Sequence, residues 1–335
     1  MTASPASQNI PLRLCAVVVT YNRVEHLRLT VERLLAEPLD HLVVVDNGSA
    51  DGSREWLRSV TDPRLCLVES PVNGGGAAGF EMGLREAVAR FDPDWIVVMD
   101  DDARPAPGAL AAFRAGAARF ATEEWEAVAA GVRFPQGPIC EMNRPSRNPF
   151  WHIGAFLRTA LGGGRAGFHV PDADYGSRET LPIDAASFVG LFLSRAAIRR
   201  AGYPDGRLFI YGDDVLYTLG LSRRGGRIGF APWIVFQHDC GTFAPDGGRT
   251  YYPLWKVYYN YRNGLLAYRE AAGPLLFWSV AALVVPKWAM TAGRYGKDRR
   301  AFLRLLRLAV RDGVLQRRAV SQADVWEAVA RAQSH

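Results

Sequence analysis

Four times in its first hundred residues the chain runs through a short, unbroken apolar stretch and stops on polar or acidic residues. The runs are Leu14-Cys15-Ala16-Val17-Val18-Val19-Thr20, Leu42-Val43-Val44-Val45-Asp46, Leu65-Cys66-Leu67-Val68-Glu69 and Trp95-Ile96-Val97-Val98-Met99-Asp100. Such runs are short, largely β-branched and without alternation, which predicts strands buried on both faces of a parallel sheet. Between them lie segments of helical spacing. Leu27, Val31, Leu34 and Leu35 mark the first, Trp56 and Leu57 the second, Met82, Leu84, Ala87 and Val88 the third. Strand and helix in alternation imply βα units, and one sheet edge then collects every polar strand end.

The polar ends are chemically distinctive. After the first strand comes Tyr21-Asn22-Arg23, and after the second Asp46-Asn47-Gly48-Ser49. The fourth runs into Asp100-Asp101-Asp102, closed by Ala103-Arg104-Pro105. Adjacent carboxylates at the carboxyl end of a central strand need nearby positive charge, and hard oxygen ligands suit Mg²⁺ or Mn²⁺. The competing reading is a solvated acidic turn. Asn73-Gly74-Gly75-Gly76-Ala77-Ala78-Gly79-Phe80 has neither G-x-G-x-x-G spacing nor a P-loop ending. Its glycines can let backbone approach a ligand while the next helix offers free N–H groups to an anion. A glycine-rich loop without chemistry is the alternative.

Farther on, 108 to 130 is alanine-rich and reads as helix. Residues 131 to 183 read as long loops with a few strands, where Phe150, Trp151 and His152 are either acceptor contacts or ordinary packing. Phe209-Ile210-Tyr211-Gly212-Asp213-Asp214 puts a carboxylate pair at the head of a helix, where capping alone explains an acid. Arg227 to His238 reads as a strand ending in a histidine. Length and a 49% hydrophobic content allow a substantial core. Cys15, Cys66, Cys140 and Cys240 are scattered, which reads as reduced thiols, neither a zinc site nor a disulfide framework. Met1 to Pro5 lacks a secretory pattern.

Taken in order, Val17 to Arg23, Val45 to Ser49, Asn73 to Gly76, Asp100 to Asp102, Gly190, Phe209 to Asp214 and His238 resemble the inverting family-2 glycosyltransferases of the GT-A fold. The resemblance covers about residues 12 to 240, and is similar within the family to bacterial galactofuranosyl- and rhamnosyltransferases. It implies an α/β class: a Rossmann-like, mostly parallel central sheet flanked by helices. It implies that Thr20, Tyr21, Asn22, Arg23 and Asp46 hold base and ribose, and that Asn73, Gly74, Gly75 and Gly76 approach the diphosphate beside Asp100 and Asp101. Asp100, Asp102 and His238 are implied to bind Mn²⁺ or Mg²⁺. Asp214 matches the base, with Asp213 orienting the acceptor and Trp151 a further acceptor contact. Leu216 and Gly220 stand where many relatives carry an acid and an arginine, which leaves Arg223 or Arg224 as substitutes, and Tyr203-Pro204-Asp205 replaces Phe-Asp-Glu.

The formal charge of +6 is concentrated near the C-terminus, where cations outnumber acids by about four to one from Tyr251 to Arg318. Leu275 to Val285 is apolar, but Pro286-Lys287 is expected to stop it short of a membrane span. Phe302 to Arg311 is amphipathic, with Arg304, Arg307 and Arg311 on one face. It reads as an interfacial helix on anionic lipid, or as part of a bundle with a solvated basic face; nucleic-acid binding lacks a recognised module. The expected organisation is a catalytic domain over 1–243, with a nucleotide-sugar half at about 12–105 and an acceptor half at about 106–243. A helical basic region over 244–335 follows. The implied activity is metal-dependent inverting transfer from a nucleotide sugar to a lipid-linked or polysaccharide acceptor, as in cell-surface glycan synthesis, at the cytoplasmic face of the plasma membrane. The alternatives are a nucleotidyltransferase and a catalytically inactive membrane-associated scaffold.

Overall fold

The computed structural model describes residues 12–240 and 250–333. Met1 to Pro5 and the expected boundary at 243/244 lie outside them. The chain runs β1 (Leu14–Thr20), α1 (Val24–Leu35), β2 (His41–Asp46), α2 (Ser53–Ser59), β3 (Leu65–Glu69), α3 (Gly75–Phe91), β4 (Trp95–Asp100) and β5 (Ala103–Pro105). It continues through α4 (Ala109–Thr122), β6 (Ala127–Arg133), α5 (Ile153–Arg158), β7 (Leu181–Ile183), β8 (Leu191–Ser194), α6 (Arg195–Ala201), α7 (Asp213–Arg223) and β9 (Ile228–His238). The last elements are α8 (Trp255–Met290), α9 (Arg299–Val314) and α10 (Gln322–Gln333).

The nine strands of the described residues form one sheet in the order β3-β2-β1-β4-β8-β6-β9-β5, with β7 also on β9. β3, β2, β1 and β4 are parallel neighbours, β8 runs against β4 and β6, and β9 runs parallel to β6. Most strands therefore point one way, as expected. Val17, Val18, Val43, Val44, Val97 and Val98 are wholly buried. Each contributes roughly 1.5–3 kcal/mol of apolar burial. One face packs on α1 and α4, the other on α3, α6 and α7. Register then fixes the edge: Thr20 lies opposite Asp46, and Val19 opposite Asp100. β5 pairs with β9 so that Ala103 faces His238.

Three expectations need correction. The helix expected to run through Ala130 ends at Thr122, and Glu124 turns the chain at φ +57°. Ala127 to Ala130 then become a strand between β8 and β9. Alanine favours helix in isolation, but here Val128 pairs with Phe192 and Ala129 with Phe230, buried on opposite faces of the sheet; tertiary packing overrides propensity. Pro286 does not stop the apolar helix, which continues to Met290 and bends instead at Gly273 (φ +75°), with Pro274 opening its second half. An 18-residue window of the run Trp255–Val314 has a mean hydropathy of 1.5, long and apolar enough to cross a membrane by length and composition. Finally, the apolar face of α9 is not a free interfacial surface. Phe302, Leu305, Leu306 and Ala309 are buried in a cluster with Tyr258, Tyr261 and Val325.

Candidate active site

The site grows from the sheet edge where β1, β4 and β9 end. Asp102 accepts from both flanks: His238 Nε2 lies 3.0 Å from Oδ1, and Arg23 hydrogen-bonds Oδ2. Thr20 donates its hydroxyl to Asp101 at 2.7 Å, and Thr30 holds the Asp101 carbonyl at 2.7 Å. Asp101 and Asp102 are therefore buried and hydrogen-bonded, which removes the solvated-turn reading. Asp100, Asp102 and His238 bring one ligand atom each within 4.8 Å of one another.

Electrostatics point the same way. Burial and the neighbouring Asp102 charge push Asp100 up to about 7. Burial raises Asp101 to about 6 against the pull of Thr20. Burial also works against a charged Asp102, but the His238 contact and Arg23 hold it below the usual carboxylate range. At His238 burial opposes the imidazolium, yet Asp102, with Cys140 and Cys240 alongside, pushes it up to about 12. A proton on His238 thus does a cation's work. Two carboxylates and an imidazole fit Mn²⁺ or Mg²⁺, the nitrogen suiting the softer Mn²⁺.

Asp213 and Asp214 open α7 beside this cluster. The charge of Asp214 adds to the raising of Asp100, and that of Asp100 to the raising of Asp213. The expected metal ligands and the expected base are therefore near enough for their charges to interact. Asp214 Oδ1 accepts the Val215 N–H at 2.7 Å. Burial lifts Asp214 to about 6 against its backbone hydrogen bonds, and burial with Asp214 drives Asp213 well above the carboxylate range. The turn before them is strained, with Phe209 and Tyr211 both at φ +69°. Asn263 of α8 holds it, donating to the carbonyls of Leu208 (3.1 Å), Ile210 (2.9 Å) and Tyr211 (2.8 Å). Buried Arg262 adds a bond to Leu208 at 2.9 Å. The C-terminal helices thus hold the loop that presents the acid pair.

Beside Arg23 opens a cleft of about 670 Å³, lined by Asn22, Arg23, Asp51, Asp239 and Lys256. Burial, then Arg23, lowers the pKa of Lys256. Lys256 comes from α8 and no local pattern announced it. The expected substitutes for the missing arginine do not line this cleft. Arg223 pairs with Glu270 at 3.6 Å and Arg224 folds back on Gly220 at 2.9 Å, both at the far end of α7 from Asp214.

The remaining expected residues are placed as follows. Tyr21 is exposed, and Asn22 Oδ1 accepts from Ala50 at 2.7 Å. Asp46 is fully buried, its carboxylate closed by Arg54 at 2.7 Å. Asn73 Oδ1 caps the Gly75 N–H at 2.8 Å, and Gly74 N donates to Asn47 at 3.0 Å. Gly75 sits at φ +80° with the Phe209 carbonyl only 2.1 Å from where a Cβ would be, so it packs the loop against the turn before Asp213; Gly76 is open. Trp151 stands half exposed on a loop whose neighbour His152 is tied to Asp184 at 2.7 Å. Cys140 and Cys240, scattered in sequence, meet with sulfurs 3.9 Å apart.

Comparison with known proteins bears on this site. The profile described as Glycosyl transferase family 2 matches residues 15–179. The galactofuranosyltransferase GlfT1 of Mycolicibacterium smegmatis is 34% identical over 267 residues, covering 75% of this chain and 81% of that one. Its counterpart in Mycobacterium tuberculosis is 31% identical, covering 74% and 79%. An undecaprenyl-phosphate mannosyltransferase of Micrococcus luteus is 27% identical over 248 residues, 71% of this chain and 89% of that one. Among solved structures, GalNAc-T7 with UDP, GalNAc and Mn2+ superposes with a TM-score of 0.54 at 13% identity, over 78% of this chain and 48% of that one. S. aureus TarS gives 0.51 at 13% identity, over 96% and 55%. The chain spans about half the length of those two, and they speak for the fold alone.

Proposed function

The chain belongs to glycosyl transferase family 2, and we propose that it moves a sugar from a nucleoside-diphosphate donor of the UDP-galactofuranose or dTDP-rhamnose type to a lipid-linked or growing glycan acceptor, with inversion. It is a glycosyltransferase of GT-A fold; donor, acceptor and metal are the proposed part. The observation that carries the reading is the cluster of Asp100, Asp102 and His238, whose ligand atoms lie within 4.8 Å of one another at the sheet edge. The two GlfT1 relatives favour the galactofuranosyl donor, and the mannosyltransferase relative favours a lipid-linked acceptor.

Thr20, Tyr21, Asn22 and Arg23, with the 73–76 segment, receive the nucleotide, Asp46 bracing the neighbouring turn through Arg54. Arg23 and Lys256 flank the cleft as cations for the diphosphate. Asp100, Asp102 and His238 would hold a divalent cation, which would supply Lewis-acid stabilisation of charge on the leaving diphosphate. Asp214 accepts the proton of the acceptor hydroxyl as that oxygen attacks the anomeric carbon from the opposite face. Asp213, whose pKa burial and Asp214 raise, hydrogen-bonds and orients the acceptor, and Trp151 offers it an aromatic surface. Family membership sets aside the nucleotidyltransferase alternative, and catalysis separates the reading from an inactive scaffold. With purified protein and Mn²⁺, a panel of UDP-, dTDP- and GDP-sugars is expected to release nucleotide most rapidly from a UDP-furanosyl donor. Release from none of them removes the reading.

We further propose that the enzyme works peripherally on the anionic inner face of the plasma membrane, seated by α8 and not by α9. Leu275 (88% exposed), Trp278, Leu283 (75%) and Met290 (77%) stand exposed along the second half of α8. Exposed Lys287, Arg294, Lys297, Arg299 and Arg300 follow at its end. Apolar residues and cations together suit anionic lipid. Leu275→Glu with Leu283→Glu is expected to lower partition into phosphatidylglycerol vesicles by roughly tenfold or more per leucine. Unchanged partition rejects the seat.

A further inference from the structure

Behind the carboxylate cluster lies a second set of ligand atoms that the transfer reaction does not use. Cys140 precedes the single turn Glu141–Asn143, and Cys240 lies just past β9. Their sulfurs are 3.9 Å apart across a sequence separation of 100 residues, and both lie with a ring nitrogen of His238 inside a 4.8 Å cluster. The imidazole is thus shared. Its Nε2 faces Asp102 at 3.0 Å, while its Nδ1 lies 2.7 Å from Asn143 Oδ1, itself 3.1 Å from the Cys140 sulfur.

We propose that Cys140, Cys240 and His238 Nδ1 form a site for a thiophilic divalent cation of the zinc and cadmium class, back to back with the carboxylate cluster. Metal–sulfur bonds of about 2.3 Å in a tetrahedron put two sulfurs about 3.8 Å apart, close to the spacing here. Three protein ligands leave a fourth position for water. The rest of the imidazole is already arranged for this role. With Nδ1 on the metal, Nε2 carries the proton and donates it to Asp102, the carboxylate–histidine pairing that orients zinc-binding imidazoles. Binding releases two thiol protons and the Nδ1 proton of the imidazolium to solvent, Nε2 keeping its own; no oxidant is involved. The ring's Nε2 cannot then serve the hard cation, so a thiophilic ion competes with the proposed catalytic metal. Only this last clause rests on the proposed function.

The test uses full-length protein kept reduced with a phosphine, free of Mg²⁺ and Mn²⁺, and titrated with Cd²⁺. One equivalent is expected to bind with thiolate-to-metal charge-transfer absorption in the near ultraviolet. Cys140→Ser and Cys240→Ser are each expected to abolish the band, and Cys66→Ser to keep it. Cys240 is half-exposed, so its variant carries the test should the buried Cys140 variant fail to fold by circular dichroism. Absence of the band in the parent overturns the proposal. So does its survival in Cys240→Ser, or the recovery of a Cys140–Cys240 disulfide in place of bound Cd²⁺. Because the readout is absorbance, it stands or falls apart from any sugar transfer.

Discussion

The Asp214→Asn enzyme is expected to bind the donor nucleotide as the parent does and to transfer almost no sugar. The carboxylate sits in the first turn of α7, where the helix N-terminus favours negative charge, but burial outweighs this and lifts it to about 6. A base with that value is ionised at neutral pH and still basic enough to take a hydroxyl proton as the C–O bond forms. Its amide replacement keeps the shape and loses the proton acceptor, a cost of roughly a hundred- to ten-thousand-fold in rate. The sign of the pH dependence follows. The active form is the ionised one, so kcat/KM falls as pH drops through about 6 and levels off above it. Residual turnover in Asp214→Asn is expected to lack that limb. Near-parental turnover, or a limb that persists in the variant, removes Asp214 as base.

Asp102→Asn is the second large effect. Asp102 is where β4's end, β9's His238 and α1's flanking Arg23 meet, so its loss affects both the cation and the pocket wall. The amide is a far poorer ligand for Mn²⁺, and loss of Lewis-acid assistance is worth several kcal/mol, on the order of a thousandfold in rate. His238 also loses the partner that pushes its pKa up, and Arg23 its anchor beside the cleft. The prediction is therefore a large fall in transfer that excess Mn²⁺ restores only in part. Parental turnover at the same Mn²⁺ concentration contradicts the ligand assignment.

How much of this was legible in the sequence depended on whether a feature is local. The valine-rich strands and their acidic or glycine-rich ends follow from burial on both faces, so sheet, edge and carboxylates were readable from the run of residues alone. Ala127 to Ala130 were not, because their strand state depends on Phe192 and Phe230 from elsewhere in the chain. Pro286 read as a stop, yet loss of one N–H does not break a helix whose neighbours keep theirs. The amphipathic pattern of α9 was visible, but a pattern cannot say whether its apolar face meets lipid or α8. Lys256 in the cleft, Asn263 under the 208–211 turn and the Cys140–Cys240 pair carry no periodicity or spacing at all. They are products of tertiary contact, and they link the C-terminal helices and the 140s loop to the site that the strand ends had already marked.

The central claim is that a cation on Asp100, Asp102 and His238 secures a nucleoside diphosphate opposite a separate base. Calorimetric titration of the parent, Asp102→Asn and Asp214→Asn proteins with UDP, in Mn²⁺ and then in chelator, tests it most directly. The expected result is binding that requires Mn²⁺ in the parent, persists in Asp214→Asn and is lost in Asp102→Asn. Equal UDP affinity in chelator and in Mn²⁺, or full binding by Asp102→Asn, contradicts it.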